Sequence, residues 1–81
     1  MTLITLYGKP GCHLCDDARD AVTAVRAERD FELEEVDITL DPLLFRRYGE
    51  RIPVVAIDGR EALELLVDAR GVRECLDTVA P

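Results

Sequence analysis

The chain has 81 residues, 48% of them hydrophobic and 33% charged, which is the composition of one small globular domain spanning residues 1–81. Seventeen acidic and ten basic side chains give a formal net charge of −7. This charge argues against nucleic acid and anionic membranes as partners, because both are bound through clustered cations. No apolar run approaches the roughly 20 residues of a spanning helix, and the N-terminus lacks a signal-peptide pattern, so we expect a cytoplasmic protein.

The first part of the chain predicts a strand, a helix and a second strand. Residues Thr2–Tyr7 are rich in β-forming side chains and are followed by a loop that contains glycine and proline. A helix is predicted from Cys12 to about Arg29, and the segment Phe31–Val36 is predicted as a strand whose acidic residues suit a sheet edge. The apolar residues that recur at helical spacing are Leu14, Ala18, Ala21, Val22 and Val25.

A short helix is predicted next. Asp41 is a typical N-cap residue, and Pro42 suits the first helical position because its missing N–H would lack a partner there in any case. Gly49 suits the position at which the helix stops.

The last part of the chain predicts a hairpin and a helix. Strands over Pro53–Ile57 and about Glu61–Val67 flank Asp58-Gly59, which is a strong signal for a two-residue hairpin turn. In the second of these strands, Leu63, Leu65 and Val67 would share one face. Asp68 is predicted to cap a final helix, whose apolar side would consist of Val72, Cys75, Leu76 and Val79.

The predicted element order is β-α-β-α-β-β-α, which places the protein in the α/β class. The first two strands must be parallel, with a right-handed helical crossover between them. The last two strands form an antiparallel hairpin. We therefore predict a four-stranded mixed sheet with helices on both faces.

The two cysteines in the stretch GKPGCHLC are the candidate reactive residues. Cys12 falls where the first strand gives way to the helix, so free backbone N–H groups and the positive end of the helix dipole favour its thiolate. Its pKa is expected to lie below the roughly 8.5 of a free thiol. Cys15 lies one turn later and can reach Cys12. This spacing suits a two-step exchange in which Cys12 attacks a disulfide and Cys15 resolves the mixed disulfide.

Other interpretations of this pair stay open. A protonated His13 would favour the Cys12 thiolate, whereas Asp16 and Asp17 would oppose it. A closed zinc site needs four ligands and Cys75 is the only other thiol, so a metal site would require a dimer that shares Cys12 and Cys15. A structural disulfide is unusual in the cytosol. Cys75 shares its helix face with apolar residues and is expected to be a buried apolar thiol.

At these residues the chain resembles a glutaredoxin-like member of the thioredoxin-fold superfamily. The matching stretches are LITLYGKPGC, the CHLC motif that opens a helix, EEVDI and RIPVVAIDG, and they follow one another in the right order along almost the whole chain. The resemblance implies a glutaredoxin-type fold and thiol–disulfide exchange.

The resemblance also assigns residues around the dithiol. It implies that Pro53 is a cis proline and that the backbone of Ile52 pairs with a substrate peptide like an added strand; alternatively, Pro53 merely begins a strand. It implies that Lys9 binds a glutathione carboxylate. Arg47 and Arg51 are candidates to join Lys9 in a small anion clamp; alternatively, all three are solvated surface cations.

The chain also departs from the glutaredoxin pattern. The motif is CHLC instead of CPYC, and Arg51 stands where glutaredoxins often carry threonine. The Gly-Gly-Asp that grips glutathione is replaced by GREALELLVDARG, which predicts a longer last strand. Glutathione specificity therefore does not follow from the resemblance, whereas the exchange chemistry does.

The expected function is that of a small cytoplasmic thiol–disulfide oxidoreductase acting in cellular redox balance. The catalytic residues are Cys12 and Cys15, and the substrate-binding residues are Lys9, His13, Arg51, Ile52 and Pro53. We expect a monomer without a bound cofactor or metal. Protein disulfides would be its substrates, and glutathione or a thioredoxin-type system its reductant. The alternatives are an adaptor module that binds without turnover and a dimer that carries a metal or an iron–sulfur cluster.

Overall fold

The computed structural model of the chain describes residues 1–79, with side chains up to Thr78. In this part of the chain, four strands and three α-helices follow one another in the predicted order, with a 3₁₀ turn at Ile38–Leu40. The elements are β1 (Leu3–Gly8), α1 (His13–Arg26), β2 (Glu32–Asp37), α2 (Pro42–Tyr48), β3 (Val54–Ile57), β4 (Arg60–Glu64) and α3 (Ala69–Val79).

The strands form one mixed sheet in the order β2-β1-β3-β4. β1 pairs in parallel with β2, as expected across a βαβ unit, and antiparallel with β3, which in turn pairs antiparallel with β4. The acidic strand β2 occupies an edge of the sheet, which confirms the prediction made from its composition.

Apolar side chains leave the sheet on both faces, because successive residues of a strand point to opposite sides. On one face, alternate residues of β1 and β3 pack against α1 and α3; Ile4, Leu6, Val55 and Ile57 meet Ala18, Val22, Val25, Val72 and Leu76. On the other face, Val54 packs with Tyr48 at the end of α2 and with Ile38. The fold is the predicted α/β arrangement with helices on both faces.

Helix α1 differs from its prediction at both ends. Cys12 is the N-cap and His13 the first helical residue, while the helix ends at Arg26, three residues before Arg29. Its buried face begins at Cys15, and Leu14 is 41% exposed, so the placement of Leu14 on the apolar face was wrong. Helical spacing alone does not decide whether Leu14 or Cys15 faces the core, because Leu14 lies four residues and Cys15 three residues before Ala18.

Helix α2 begins as predicted. The Asp41 carboxylate accepts the backbone N–H of Leu43 at 2.9 Å, and Pro42 occupies the first turn. The helix ends at Tyr48 and Gly49 follows it, but Gly49 keeps a right-handed helical conformation, with φ −52° and ψ −35°. It therefore does not form the left-handed glycine cap that its position suggested.

The hairpin between β3 and β4 has the predicted turn. Asp58 and Gly59 both have positive φ, 50° and 85°, as a two-residue turn of the I′ type requires. The pairing then shifts, because Ala56 lies opposite Glu61 while Val55 lies opposite Leu63. This β-bulge adds one residue to β4 and changes which of its side chains share a face.

Strand β4 ends at Glu64, so the prediction of a strand reaching Val67 was wrong. The N–H of Leu65 donates to the Pro53 carbonyl at 2.9 Å, and the ladder stops there because Pro53 has no N–H to return. Leu65 has a φ of 66°, and the Leu66 N–H bonds the Glu64 carbonyl at 2.9 Å in a tight three-residue turn. Leu65 is consequently 45% exposed and does not share a core face with Leu63.

Helix α3 follows this turn. The Asp68 carboxylate accepts the Gly71 N–H at 2.7 Å, which confirms the predicted cap. Val72 and Leu76 are buried in the core and Cys75 is half-buried against it, while the Val79 side chain lies outside the described part. None of the helices within residues 1–79 combines the length and the apolar character needed to span a membrane.

Candidate active site

Cys12 occupies the junction between β1 and α1. It is half-buried and has an extended backbone, and its Sγ accepts the backbone N–H of Cys15 at 3.2 Å. Its carbonyl accepts the Asp16 N–H at 3.1 Å. A sulfur thus takes the place of the oxygen that usually caps a helix, and the donated N–H and the helix dipole both favour negative charge on it.

Cys15 sits deeper than Cys12. It is only 2% exposed and packs against the backbone of β1, where a Cβ added to Gly8 would lie 3.1 Å from the Cys15 Sγ. The pKa of the Cys15 thiol is raised from 9.0 to about 11. Burial is the largest cause and the hydrogen bond with Cys12 the second, while a hydrogen bond with the backbone of Lys9 lowers the pKa by a smaller amount. The site therefore pairs a half-buried outer sulfur that accepts a backbone N–H with a buried inner thiol whose pKa is raised.

The Ile52–Pro53 bond is cis, as the resemblance implied, and both residues are buried. Ile52 belongs to the same apolar cluster as Cys15, and Cys12 packs against that cluster. The Ile52 N–H donates to the Tyr48 carbonyl at 3.1 Å. A substrate strand of the expected kind would therefore have to pair with the Ile52 carbonyl.

Two of the three cations of the predicted anion clamp, Arg47 and Arg51, pair with carboxylates of the protein itself. Arg51 donates from Nε to Glu64 at 2.7 Å, and a second nitrogen of its guanidinium contacts Glu61. Arg47 donates to the same Glu61 carboxylate at 3.2 Å. The two guanidinium groups also lie 5.3 and 5.4 Å from the centroid of the Tyr48 ring. These contacts lower the pKa of Glu61 and raise that of Arg51.

Two aromatic rings lie between these paired arginines and the dithiol. Tyr7, on β1, stacks on Tyr48 with 4.6 Å between ring centroids and 28° between planes. Tyr48 is buried in the cluster that holds Cys15 and Ile52, and Tyr7 packs against that cluster. Neither Tyr48 nor the two glutamates of β4 were singled out from the sequence, because no local motif marks them.

Lys9 and His13 are both exposed, the first in the loop after β1 and the second on the first turn of α1. Lys9 lines a pocket of about 430 Å³ together with Cys15, Arg19 and Glu35. Arg19 bonds Glu35 and, at 3.2 Å, Asp16. The pocket therefore presents both signs of charge beside the inner thiol.

The third thiol, Cys75, is half-buried on α3, away from the dithiol, and burial raises its pKa. All three cysteines are free. Within residues 1–79, no three His, Cys, Asp or Glu side chains converge in a way that could hold a metal ion.

Comparison with known proteins gives a consistent family. The Glutaredoxin-like domain family (DUF836) matches residues 3–77. An uncharacterized protein of Mycobacterium tuberculosis is 29% identical over 75 residues, covering 86% of this chain and 77% of the relative.

Solved structures agree with that assignment. The crystal structure of a protein from X. campestris shares 40% identity and a TM-score of 0.81, covering 96% of this chain and 99% of that one. The solution structure of a Nitrosomonas europaea protein shares 26% identity and a TM-score of 0.78 over 91% of this chain and 89% of that one. A mutant thioredoxin from Halobacterium salinarum, 17% identical with a TM-score of 0.72, shows the shared fold over 99% of this chain and 78% of that one. The chain thus belongs to the glutaredoxin-like domain family and has the thioredoxin fold.

Proposed function

We propose that the protein is a thiol–disulfide oxidoreductase in which Cys12 is the nucleophile and Cys15 the resolving thiol. The observation that carries this proposal is the N-cap geometry of Cys12, whose sulfur accepts an N–H at 3.2 Å from Cys15, the residue it must later bond. Membership of the glutaredoxin-like family and the cis Ile52–Pro53 bond beside the pair support it.

The reaction proceeds in two steps. The Cys12 thiolate attacks one sulfur of a substrate disulfide and forms a mixed disulfide, and the other substrate sulfur leaves as a thiolate that takes up a proton. Cys15 then loses its proton and attacks the Cys12 sulfur, which forms the Cys12–Cys15 disulfide and releases the second substrate thiol. Two electrons pass from the dithiol to the substrate, and two equivalents of an external thiol return the protein to its reduced form.

The proposed substrates are disulfides of other proteins, and the proposed site of action is the cytoplasm. Thiol–disulfide exchange at Cys12 needs no resident cofactor, and the proposed external reductant is glutathione or a thioredoxin-type system. The Ile52 carbonyl and the buried Pro53 beside Cys12 offer a short edge at which a peptide can align.

The test is to trap the mixed disulfide. A disulfide-bonded peptide is mixed with each of four reduced proteins: the wild type, Cys12→Ser, Cys15→Ser and Cys75→Ser. The reactions are quenched by alkylation, and the masses of the products are measured by mass spectrometry. Cys15→Ser should accumulate a peptide adduct on Cys12, whereas the wild type and the control Cys75→Ser should form the internal disulfide. Adducts that persist in Cys12→Ser would refute the assignment, and the absence of any exchange would favour an adaptor module.

A further inference from the structure

The β-bulge in the hairpin sets the positions of two acidic side chains. Glu61 and Glu64 are three residues apart, so a regular strand would send them to opposite faces of the sheet. The extra residue of β4 lies between Glu61 and Leu63, and it places Glu61 opposite Ala56 and Glu64 opposite Val54. Both carboxylates therefore reach the α2 face of the sheet.

On that face the two carboxylates meet two guanidinium groups. Glu61 contacts both Arg47 and Arg51, and Glu64 bonds Arg51 at 2.7 Å. We call these four residues the ion-pair cluster. Its two positive and two negative charges cancel, and the carboxylates take up N–H donors of the guanidinium groups that would otherwise be open to an external carboxylate.

The ion-pair cluster borders the dithiol. Arg51 directly precedes Ile52, which shares its apolar cluster with Cys15 and with Cys12 packed against it. The ring of Tyr48, over which both guanidinium groups lie, belongs to the same apolar cluster. A net charge at these four residues would therefore act on a substrate that approaches Cys12.

We propose that Glu61 and Glu64 determine specificity: by neutralising Arg47 and Arg51 they make the dithiol discriminate against small anionic thiols and favour uncharged or cationic polypeptide segments. This inference rests on the proposed function and names its substrate class. The net charge of −7 acts in the same direction, because it repels anions over the whole surface.

The test compares the wild type with the double variant Glu61→Gln/Glu64→Gln, which keeps the shape of both side chains and frees the arginines. Each protein is oxidised to the Cys12–Cys15 disulfide and reduced with glutathione (anionic), 2-mercaptoethanol (uncharged) or cysteamine (cationic). In each reaction two thiols become one disulfide while the protein gains two thiols. Dividing each rate constant by that for 2-mercaptoethanol removes general effects of the substitutions on the dithiol.

The matched control is Glu28→Gln/Asp77→Asn. It also removes two carboxylates that pair with arginines: Glu28 lies 2.8 Å from Arg73, and Asp77 lies 2.6 Å from Arg29. Both pairs lie beyond the end of α1 that is remote from Cys12. The 14 residues of α1 separate the two places by about 21 Å. At about 0.15 M salt the screening length is roughly 8 Å, so these charges act little on the dithiol.

At low ionic strength, the relative rate with glutathione should rise about threefold or more in Glu61→Gln/Glu64→Gln, and that with cysteamine should fall. The control should change neither, and adding Arg47→Gln and Arg51→Gln to the double variant should abolish the gain. Relative rates that match the wild type would overturn the inference while leaving the proposed function intact. An oxidised wild type that none of the three thiols reduces would overturn both.

Discussion

The two sulfur atoms of the dithiol differ because one helical turn places them in different surroundings. Cys12 caps α1 and receives an N–H, whereas Cys15 is 2% exposed and lies against Gly8. Burial and the hydrogen bond with Cys12 oppose negative charge on the second sulfur. In the proposed exchange reaction, this asymmetry favours Cys12 as the attacking thiol, and the raised pKa of Cys15 opposes its deprotonation in the resolving step.

The pH dependence of the resolving step tests that asymmetry. Burial is the largest cause of the raised Cys15 pKa, and we expect it to keep that pKa above the ordinary value of 9.0 when Cys12 is bonded to a substrate. Below that pKa the thiolate fraction grows about tenfold per pH unit, so release of the second thiol should accelerate between about pH 6 and 9 without levelling off. Stopped-flow detection of that release gives the profile, and a plateau below pH 9 would show that Cys15 ionises more easily than its burial implies.

Gly8 should be intolerant of a side chain. A Cβ there would lie 3.1 Å from the Cys15 Sγ and 3.2 Å from its Cβ. We expect Gly8→Ala to lower the free energy of unfolding by about 1–3 kcal/mol through overpacking, as measured by urea denaturation. The cost should shrink in a Cys15→Ala background, since part of the clash is with the sulfur. Equal costs in the two backgrounds would place the strain elsewhere.

Among the elements, helix α2 links the fold to the site. It begins at the Asp41 cap and ends at Tyr48, whose carbonyl accepts the Ile52 N–H and whose ring supports both arginines of the ion-pair cluster. A helix of only seven residues is marginal by itself and depends on its cap and its packing.

Loss of that cap should be measurable. Asp41→Ala removes the acceptor of the Leu43 N–H and should destabilise the protein by about 1 kcal/mol in urea denaturation. Asp41→Asn keeps an acceptor oxygen and is the matched control, expected to retain most of the stability. If both variants lose the same stability, the carboxylate acts through its charge at the helix terminus instead of through the cap bond.

Helix caps and the hairpin turn were predictable from local sequence, whereas the register and the extent of β4 were not. Asp41, Asp68 and the Asp58-Gly59 turn each carry a local signal, and the structure confirms all three. The end of β4 depends on its partner strand beginning after Pro53, and the shared face of Glu61 and Glu64 depends on a bulge. Neither leaves a mark in the alternation of residues along β4 itself.

At the scale of the whole molecule, the net charge is −7, and several of the excess carboxylates lie in ion pairs with arginines. Within the described residues, every salt bridge has an arginine as its cation, and some pairs join distant segments, as Arg29 in the loop after α1 pairs with Asp77 on α3. The pairs are exposed, so each contributes little by itself. Arginine partners nevertheless lower the pKa values of three of these carboxylates, Glu28, Glu61 and Asp77.

Acid should therefore destabilise the protein through these pairs. A carboxylate whose folded pKa is lowered contributes stability above its unfolded pKa, 4.5 for Glu28 and 3.8 for Asp77, and loses it as the pH falls through the folded value. We expect the midpoint of thermal unfolding to fall as the pH drops below about 4.5. The unfolding midpoint of Glu28→Gln should fall less steeply with decreasing pH than that of the wild type. If the two midpoints fall equally steeply, the Glu28–Arg73 pair does not contribute to the acid sensitivity.

The most direct test of the central claim counts the thiols released from a chromogenic aromatic disulfide. In a Cys75→Ser background, reduced protein should release two equivalents per chain in the fast phase, one from attack by Cys12 and one from resolution by Cys15. Adding Cys15→Ser should leave one fast equivalent and a stable mixed disulfide, and adding Cys12→Ser should remove the fast phase. A fast phase that survives in Cys12→Ser would contradict the account, because another thiol would then be the nucleophile.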